Sequence, residues 1–288
     1  MSVAVVTDTT AYLPTALAEE NDISIVSLYV IWGTERTERE ADMHDFDRFF
    51  EELRSVEALP TTSQPSVGDF TSVYEPLLAE GRDVISIHIS GGISGTCGAA
   101  QQAADALERS GKGGERVTVF DSQTTAGGLG LMALVAARAS AGGADAAAVL
   151  ERVRAARADL KIWFAVDTLE YLKRSGRIGA ASAWIGSTLK IKPILSLESE
   201  MVPVERVRTS KRAFERMVDY ARQRHEAGAD AWSVQHIHAQ DEADRLAERC
   251  REVFGCEPVF LGEIGPVLAA HTGPGLLGVG GIPPAHLD

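Results

Sequence analysis

The sequence has few cysteines and no long apolar run, and each absence excludes a class of protein. The three cysteines, Cys97, Cys250 and Cys256, form no C-x-x-C pair and leave one unpaired, so we expect neither a disulfide framework nor a zinc site. The longest apolar stretch, Gly127–Ala139, is shorter than the roughly 18 residues of a membrane span. The N-terminal segment has no basic region and soon reaches Asp8, so we expect no signal peptide and a cytoplasmic protein.

Positive charge is also scarce. The chain has 28 lysines and arginines against 41 aspartates and glutamates, which gives a formal net charge of −13. Binding to a nucleic-acid backbone depends on a basic face that displaces counterions, and an anionic bilayer repels an acidic protein. We therefore expect no nucleic-acid partner and only transient contact with membranes.

What the sequence does contain is 288 residues, 45% hydrophobic and 24% charged, the balance of an ordinary globular chain. This length favours two domains. In the first half, short apolar runs alternate with helical stretches, which is typical of a doubly wound, mostly parallel sheet. The predicted strands there are Val3–Val6, Ile23–Trp32, Val84–Ile89 and Val117–Phe120, and the predicted helices are Pro14–Glu20, Phe46–Arg54, Val67–Ala79, Thr96–Arg109 and Ala126–Ser140.

From Lys161 onwards the strands alternate apolar and polar residues more regularly, and Glu200 between two short strands indicates an antiparallel pair. We place the boundary near residue 158, between an N-terminal parallel-sheet α/β/α domain, 1–158, and a C-terminal mixed-sheet α/β domain, 159–288. The predicted strands of the second domain are Trp163–Val166, Ile191–Leu197, Met201–Arg206, Trp232–Ile237 and Pro258–Leu261, with helices at about Lys211–Ala227 and Glu242–Phe254.

Two motifs suggest cofactor or metal chemistry, and a structural interpretation fits both better. Gly128–Ala133 matches the dinucleotide fingerprint G-x-G-x-x-A, but it lies inside a predicted helix and not in the turn after a strand, so close helix packing is favoured. His236 and His238 have a spacing that metal ligands can show, yet no third ligand is evident. The sequence also has no P-loop. We therefore expect no metal and no cofactor.

Hydroxyls and glycines follow the predicted strands, at the sheet edge where ligands bind in such folds. Ser94, in G-I-S-G-T, falls one glycine short of a nucleophile elbow, since Thr96 stands in the last position. It is either a nucleophile with a distant histidine or, as we favour, a hydroxyl donor in an anion site at a helix start. Thr61–Ser66 is the densest hydroxyl run, and it could simply be a loop that leads to the Ser66 capping box with Asp69.

Other candidates lie in the second half. His271 stands in a Gly/Pro-rich segment, which we expect to be a loop that displays the imidazole to an anion. Arg174 and Arg177 flank a Ser-Gly pair, where a solvated surface loop and a functional role are equally good interpretations.

Together these segments resemble the DegV family of bacterial lipid-binding proteins. The resemblance implies two α/β domains with a long-chain fatty acid buried between them. It also implies that Thr62 and Ser94 hold the carboxylate, with Ser63 and Gly95 beside them and His271 nearby. The matching segments run in order along nearly the whole chain: Val5–Thr10, Thr62–Ser66, Ile93–Thr96, Phe120–Ser122, Leu172–Ile178, Ile191–Leu195 and His271–Gly275.

Members of that family act as the fatty-acid-carrying subunit of a two-part fatty acid kinase. The resemblance therefore implies a carrier with no catalysis of its own and an ATP-dependent kinase as its partner. Two alternatives stay open, a serine-dependent acyl hydrolase that uses Ser94 and His271, and a dihydroxyacetone-kinase-like binder of a small ketone. Four basic residues on an acidic chain are candidates for contact with an acidic face of the kinase: Arg174, Arg177, Arg206 and Arg208.

Physical chemistry agrees with a fatty-acid site. Each buried CH₂ group contributes about 0.8 kcal/mol, so the ligand needs a long apolar slot. Neutral hydroxyls and helix-start amides can hold the carboxylate without the desolvation of a buried lysine or arginine. Ala180–Leu197 supplies small and apolar residues that could line the slot or belong to the core. Two departures from the family pattern are Tyr12, where an aspartate is common, and Cys97, where an aromatic residue is common.

Overall fold

The computed structural model describes residues 2–56, 58–184 and 191–288. The helices in those ranges are α1 (Thr15–Glu20), α2 (Phe46–Ser55), α3 (Val67–Ala79), α4 (Thr96–Arg109), α5 (Ala126–Ala141), α6 (Ala146–Asp159), α7 (Glu170–Arg174), α8 (Ser210–Glu226), α9 (Gln240–Phe254) and α10 (Pro266–Thr272). The strands are β1 (Val3–Asp8), β2 (Ile23–Val26), β3 (Tyr29–Trp32), β4 (Arg36–Arg39), β5 (Thr61–Ser63), β6 (Asp83–His88), β7 (Val117–Asp121), β8 (Lys161–Ala165), β9 (Lys192–Glu198), β10 (Glu200–Val207), β11 (Ala231–His236), β12 (Phe260–Glu263) and β13 (Leu277–Ile282).

The N-terminal half is built on a parallel four-stranded sheet in the order β2-β1-β6-β7. Helices α3 and α4 pack on one face, where Phe70 and Tyr74 join the buried side chains of β1 and β6. Helices α5 and α6 cover the other face. Strands that are covered on both faces are nearly all apolar, which is why these strands can be recognised in the sequence. The predicted α/β class with an N-terminal parallel sheet is confirmed.

The stretch predicted as one strand over Ile23–Trp32 is two strands, and that prediction is wrong in its middle. Ser27 Oγ donates to the Leu28 carbonyl and accepts from the Ala41 N–H, while the Leu28 N–H donates to Thr9 Oγ1. At these two residues, bonds to side-chain hydroxyls take the place of main-chain pairing with the first sheet. The chain therefore leaves that sheet after β2 and enters a second, antiparallel one of order β4-β3-β5.

The hydroxyl run considered as a possible loop is partly a strand. In β5, Thr62 lies opposite Val30 of β3. Pairing with a strand so far away in the chain is not visible in a local sequence window. The capping box at the end of the run is confirmed, since Ser66 Oγ accepts from the Asp69 N–H and the Asp69 carboxylate accepts from the Ser66 N–H.

The C-terminal half is a mixed six-stranded sheet in the order β10-β9-β8-β13-β11-β12, as the mixed-sheet prediction requires. Strands β9 and β10 form the antiparallel pair expected around Glu200, and β11 and β12 are parallel. Helices α8 and α9 pack on one face. Strand β13 lies between β8 and β11 and was not predicted, because three of its six residues are glycines with low strand propensity.

Helix α5 lies between the two large sheets and contacts β1 and β6 on one side and β11 and β13 on the other. A helix that is apolar all round is a buried helix. The interpretation of Gly128–Ala133 as a packing motif is confirmed at Gly130, where an added Cβ would lie 2.9 Å from the ring of Phe260 and 3.1 Å from the Ala11 carbonyl.

The two halves share one continuous core around α5, which includes Ile87, Leu131, Phe164 and Leu268. The strands of the two N-terminal sheets precede residue 158, and those of the six-stranded sheet follow it. The division into domains at that residue stays a prediction. Among the described residues, no helix combines the length and the apolar character needed to cross a membrane.

Candidate ligand-binding site

A cavity lies between the carboxyl end of the parallel sheet and the face of the six-stranded sheet that meets α5. Its empty space, with open solvent at the mouth included, is about 1030 Å³, and the part that can hold the centre of a water molecule is about 110 Å³. Small-molecule sites are mostly apolar. The lining is mostly apolar here too, and it includes Leu28, Ile89, Ile162, Phe164, Leu172, Leu197, Ile264, Leu268 and Leu276.

Polar side chains line this cavity in two places. The first group, the mouth cluster, consists of Thr62, Gln64, Ser94, Arg177 and His271. The second group, the inner cluster, consists of Thr125, Ser233 and Gln235, and its members are almost fully buried. An apolar cavity with a few convergent polar groups is the usual form of a small-molecule site.

Thr62 and His271 are 209 residues apart in the sequence and in contact in the structure. Strand β5 carries Thr62 and the last turn of α10 carries His271, and Thr62 Oγ1 lies 2.7 Å from His271 Nε2. His271 Nδ1 is buried and has no hydrogen-bond partner among the described residues. The resemblance to the DegV family placed these two side chains near each other, and their contact agrees with it.

The expectation that a loop displays His271 is wrong. The residue lies in α10, which begins at Pro266, and Gly273 ends the helix with a φ of 75°. Val267, Leu268 and Ala269 pack into the core, so the helix forms and draws the imidazole inward. Burial, with a smaller effect from the positive charge of Arg177, lowers the pKa of His271 to about 4. The ring is therefore neutral at physiological pH.

Ser94 lies in the turn between β6 and α4, where its N–H donates to the Ser90 carbonyl. Its hydroxyl is 2.8 Å from Thr96 Oγ1 and accepts a bond from the Thr96 N–H at 3.3 Å. Gly95 is the N-cap of α4, and a Cβ there would lie 3.0 Å from the Gln64 amide nitrogen. The glycine thus lets the Thr62–Gln64 segment approach the start of α4 closely.

A polar groove connects the mouth cluster with the protein surface, and Gly92, Ser94, Arg177 and Glu200 are among its lining residues. Arg177 is exposed, and its Nε donates to the Ile93 carbonyl at 3.4 Å. Of the four arginines considered for partner contact, Arg177 therefore borders the ligand cavity itself.

The other three arginines are exposed and do not line the cavity. Arg174 ends α7, and Arg206 lies over the ring of Trp184, 5.3 Å from its centroid. Arg208 follows directly after β10, whose first residue, Glu200, borders the groove. Arg206 and Arg208 are thus at the far end of that strand, and their role in partner contact stays a prediction.

Ser63 differs from Thr62 in where its hydroxyl points. Neighbouring strand residues face opposite sides of a sheet. Ser63 Oγ donates to the Gln64 carbonyl at 3.0 Å, and Ser63 does not line the cavity. Its part in carboxylate binding stays a prediction that this geometry does not support.

A buried clamp that we did not predict from the sequence holds α10 in place. The Tyr12 hydroxyl donates to Glu40 Oε1 at 2.7 Å, and the Val267 N–H donates to the same oxygen at 2.8 Å. The Leu268 N–H donates to the Tyr12 hydroxyl at 3.3 Å. Burial raises the pKa of Glu40 to about 7. Tyr12, which departs from the family pattern, thus helps to position the helix that carries His271.

The segment Ala180–Leu197, considered as a lining of the slot, contributes Leu197 to the cavity. Residues 185–190 of that segment lie outside the described residues.

The two histidines considered as metal ligands have other contacts. His236 ends β11, and its Nε2 lies 3.0 Å from Gln240 Oε1. His238 lies beyond the strand, with its ring against Phe50 and Nδ1 3.6 Å from an Asp47 carboxylate oxygen. The described ranges contain no group of three or more residues that could hold a metal ion.

The hydrolase alternative would need Ser94, His271 and an orienting carboxylate in one chain of hydrogen bonds. In the part of the chain that is described, Ser94 pairs with Thr96, His271 pairs with Thr62, and no carboxylate bonds to the His271 ring. The geometry therefore gives this alternative no support.

These features define an α/β protein whose two large sheets enclose a ligand cavity with an apolar body and a polar mouth. The family model described as "Uncharacterised protein, DegV family" matches residues 2–283. This chain belongs to the DegV family.

Relatives and solved structures agree over the whole length. A DegV domain-containing protein of Streptomyces coelicolor is 40% identical over 284 residues, which cover 96% of this chain and 97% of that protein. The structure of a DegV family protein from Thermus thermophilus, described by its fatty acid binding, has a TM-score of 0.87 at 35% identity and covers 98% of this chain and 100% of its own. DegV of Bacillus subtilis, described as a fatty acid binding protein, has a TM-score of 0.85 at 34% identity, covering 97% of this chain and 98% of its own.

Proposed function

We propose that this chain binds one long-chain fatty acid, with the carboxylate at the mouth cluster and the acyl chain along the apolar lining. The observation that carries the proposal is the hydrogen-bonded pair of Thr62 and His271, at the polar mouth of an otherwise apolar cavity. Two solved relatives that are described as binding fatty acids, those from Thermus thermophilus and Bacillus subtilis, share the fold over nearly the whole chain.

The mouth cluster can bind a carboxylate without a buried cation. A neutral imidazole carries one N–H, and its tautomer is assigned by its partners. If Nε2 carries the proton, it donates to Thr62 Oγ1 and the Thr62 hydroxyl is free to donate to the ligand. If Nδ1 carries the proton, Nε2 accepts from Thr62 and Nδ1–H is the free donor. Either tautomer leaves the pair with one unused donor, and the Ser94 hydroxyl adds another.

Extraction of the purified protein tests the fatty-acid proposal. We expect denaturing extraction and mass spectrometry to find a long-chain fatty acid at about one per chain, because each CH₂ group buried against the apolar lining contributes about 0.8 kcal/mol. The double variant Thr62→Ala/Ser94→Ala is the matched control and should retain much less. Finding no lipid, and no uptake of added palmitate or oleate, would refute the proposal, and ester turnover by the chain alone would favour the hydrolase alternative.

We propose further that the loaded protein presents the carboxylate to an ATP-dependent fatty acid kinase. In that reaction a carboxylate oxygen attacks the γ-phosphorus of ATP, the bond to ADP breaks, and an acyl phosphate forms. Two observations support this role. The chain has no P-loop of its own, and a groove lined by Ser94, Arg177 and Glu200 gives access to the carboxylate site.

Phosphorylation of the bound fatty acid by a cognate kinase and ATP tests this second proposal. We expect His271→Ala to keep lipid through Thr62 and Ser94 but to lose most turnover, because a donor to the developing acyl phosphate is removed. Arg208→Ala should weaken kinase binding and leave lipid content unchanged. Acyl phosphate formation by the isolated chain would contradict the presenting role, and full activity of both variants would refute the two residue assignments.

A further inference from the structure

The inner cluster has hydrogen-bonding capacity that the described part of the protein does not use. Thr125 is 7% exposed, Ser233 3% and Gln235 5%, and all three line the cavity. Thr125 Oγ1 and Gln235 Oε1 have no hydrogen-bond partner among the described residues. Native proteins rarely leave buried polar atoms unpaired, because each such atom loses its bonds to water. Two unpaired atoms on the wall of a ligand cavity therefore point to a polar group of the ligand.

Strand β11 and the first turn of α5 form the wall that carries this cluster. Ser233 and Gln235 alternate with Trp232 and Val234 along β11, so their side chains lie on the face of the sheet that meets α5. At the first turn of α5, a Cβ on Gly127 would lie 2.7 Å from Ser233 Oγ and 3.0 Å from Gln235 Oε1. The glycine thus lets both side chains pack directly against the start of α5.

The chain also adopts a costly conformation to form this wall. Ala126, the first residue of α5, has a φ of 52°, a region that residues with a side chain seldom occupy. Strained backbone of this kind is often found at ligand sites. Thr125, just before it, is the N-cap residue, yet its side chain makes no capping bond. Its hydroxyl is therefore buried without a partner among the described residues, in a side chain that lines the cavity.

We propose that the inner cluster binds a hydroxyl group on the acyl chain, so that this protein prefers hydroxylated fatty acids to unsubstituted ones. This inference rests on the proposed fatty-acid function. The Gln235 amide nitrogen already donates to the Tyr12 carbonyl at 3.4 Å, which leaves Oε1 in need of a donor. A ligand hydroxyl donates to Oε1 and accepts from the hydroxyl of Thr125 or Ser233. A CH₂ group, a double bond or a keto oxygen donates nothing, so Oε1 would stay unpaired.

Binding of stearate and of a series of stearates with one hydroxyl at successive positions tests this proposal on lipid-free protein. We expect the best-placed isomer to bind the wild type about tenfold more tightly than stearate, since one additional hydrogen bond in a buried site gives a difference of this order. Gln235→Met and Ser233→Ala should remove that preference. Gln101→Met, an exposed glutamine on α4, is the matched control and should keep the preference.

A head-group variant separates the two proposals. Thr62→Ala should weaken binding of stearate and of the best isomer by the same factor. If no isomer binds the wild type more tightly than stearate, water satisfies the inner cluster and the hydroxyl proposal is wrong, while fatty acid binding stands. A preference that persists in both Gln235→Met and Ser233→Ala would also overturn it. Should Gln235→Met fail to fold, Ser233→Ala alone decides the test. Failure of every fatty acid to bind would overturn both proposals.

Discussion

Two histidines, the fully buried His88 in the N-terminal half and the partly buried His271 in the C-terminal half, differ in how far their ring nitrogens are hydrogen-bonded. His88 ends β6, and both of its ring nitrogens have partners: Nδ1 lies 2.9 Å from Asp8 Oδ2 and Nε2 lies 2.6 Å from Ser86 Oγ. His271 has one partner, Thr62, and an unpaired buried Nδ1. The first network is complete without a ligand, whereas the second is incomplete. The difference indicates that His88 serves the fold and His271 serves a ligand.

The contrast matters because the residues around His88 resemble a catalytic triad in composition. Asp8, His88 and Ser86 form an acid–imidazole–hydroxyl chain, and the Tyr74 hydroxyl continues it at 2.7 Å from Ser86 Oγ. All four side chains are fully buried, and none of them lines the cavity. A triad acts on a substrate that reaches its nucleophile. An acid–imidazole–hydroxyl chain therefore does not by itself identify a catalytic site. His271 lines the cavity and His88 does not, so only His271 is placed to contact a ligand.

The largest expected effect comes from breaking the His88 network. Asp8→Ala removes the acceptor for His88 and for the N–H groups of Thr10 and Ile89, and leaves them buried and unpaired. We expect the free energy of unfolding to fall by about 3–5 kcal/mol, measured by urea denaturation. Asp244→Ala, at an exposed carboxylate bonded to Gln240, is the control and should change it by less than about 0.5 kcal/mol. Equal effects of the two changes would refute a structural role for the network.

The next effect is the pH dependence of stability that His271 causes. Its pKa is about 4 in the folded protein, below the ordinary value of 6.5, so the unfolded chain takes up a proton first as the pH falls. The contribution of the neutral ring is complete above 6.5 and is lost as the pH drops from 6.5 to about 4, by at most about 3 kcal/mol. Between pH 6.5 and about 4, the free energy of unfolding of lipid-free His271→Gln should fall less than that of the wild type. If the free energy of unfolding fell equally with pH in both proteins, the pKa of His271 would not be lowered.

Glu40 acts in the opposite direction and must be separated from His271 in that experiment. Its pKa is raised from 4.5 to about 7, so its contribution is complete below 4.5 and is lost as the pH rises from 4.5 to 7. A Glu40→Gln background removes this titration.

Variants of the mouth cluster have a smaller effect on stability and a clear effect on binding. Thr62→Ala or Ser94→Ala removes one donor to the carboxylate, a charge-assisted bond of about 1.5–3 kcal/mol. Fatty-acid affinity should fall roughly tenfold to a hundredfold, while the Tm of the lipid-free protein stays nearly constant. Titration calorimetry and thermal unfolding measure the two quantities. A large fall in Tm with unchanged affinity would make these residues part of the fold, like Asp8.

The smallest effect is expected at Ser63, next to Thr62. Its hydroxyl bonds to the Gln64 carbonyl and Ser63 does not line the cavity, so Ser63→Ala should change fatty-acid affinity by less than about threefold. The same titration as for Thr62→Ala makes the comparison direct. A loss as large as that of Thr62→Ala would show that the ligand draws the Ser63 hydroxyl into the site.

Local sequence signals determined much of this protein. The bounds of α3 and α4 are as predicted, because a capping box and apolar periodicity lie within a short window. For the same kind of reason, the doubly covered strand β1 begins with the apolar run Val3–Val6, and β6 has apolar side chains at Val84, Ile85 and Ile87. The order of the T-S-Q-P, S-G-T and H-T-G-P-G segments led to the family, and hence to Thr62, Ser94 and His271 as candidates.

Only the tertiary structure decided the rest. Strand β13 is half glycine and forms because β8 and β11 pair with it on both edges. The contacts of Thr62 with His271, of Glu40 with Val267 and of Gly127 with Gln235 join residues that are remote in the sequence. A residue's hydrogen-bonding capacity can be read from its type, but its unused capacity depends on every neighbour that folding brings to it. For this reason the sequence alone determined which residue types could hold a ligand, and packing decided which of their atoms remain unpaired.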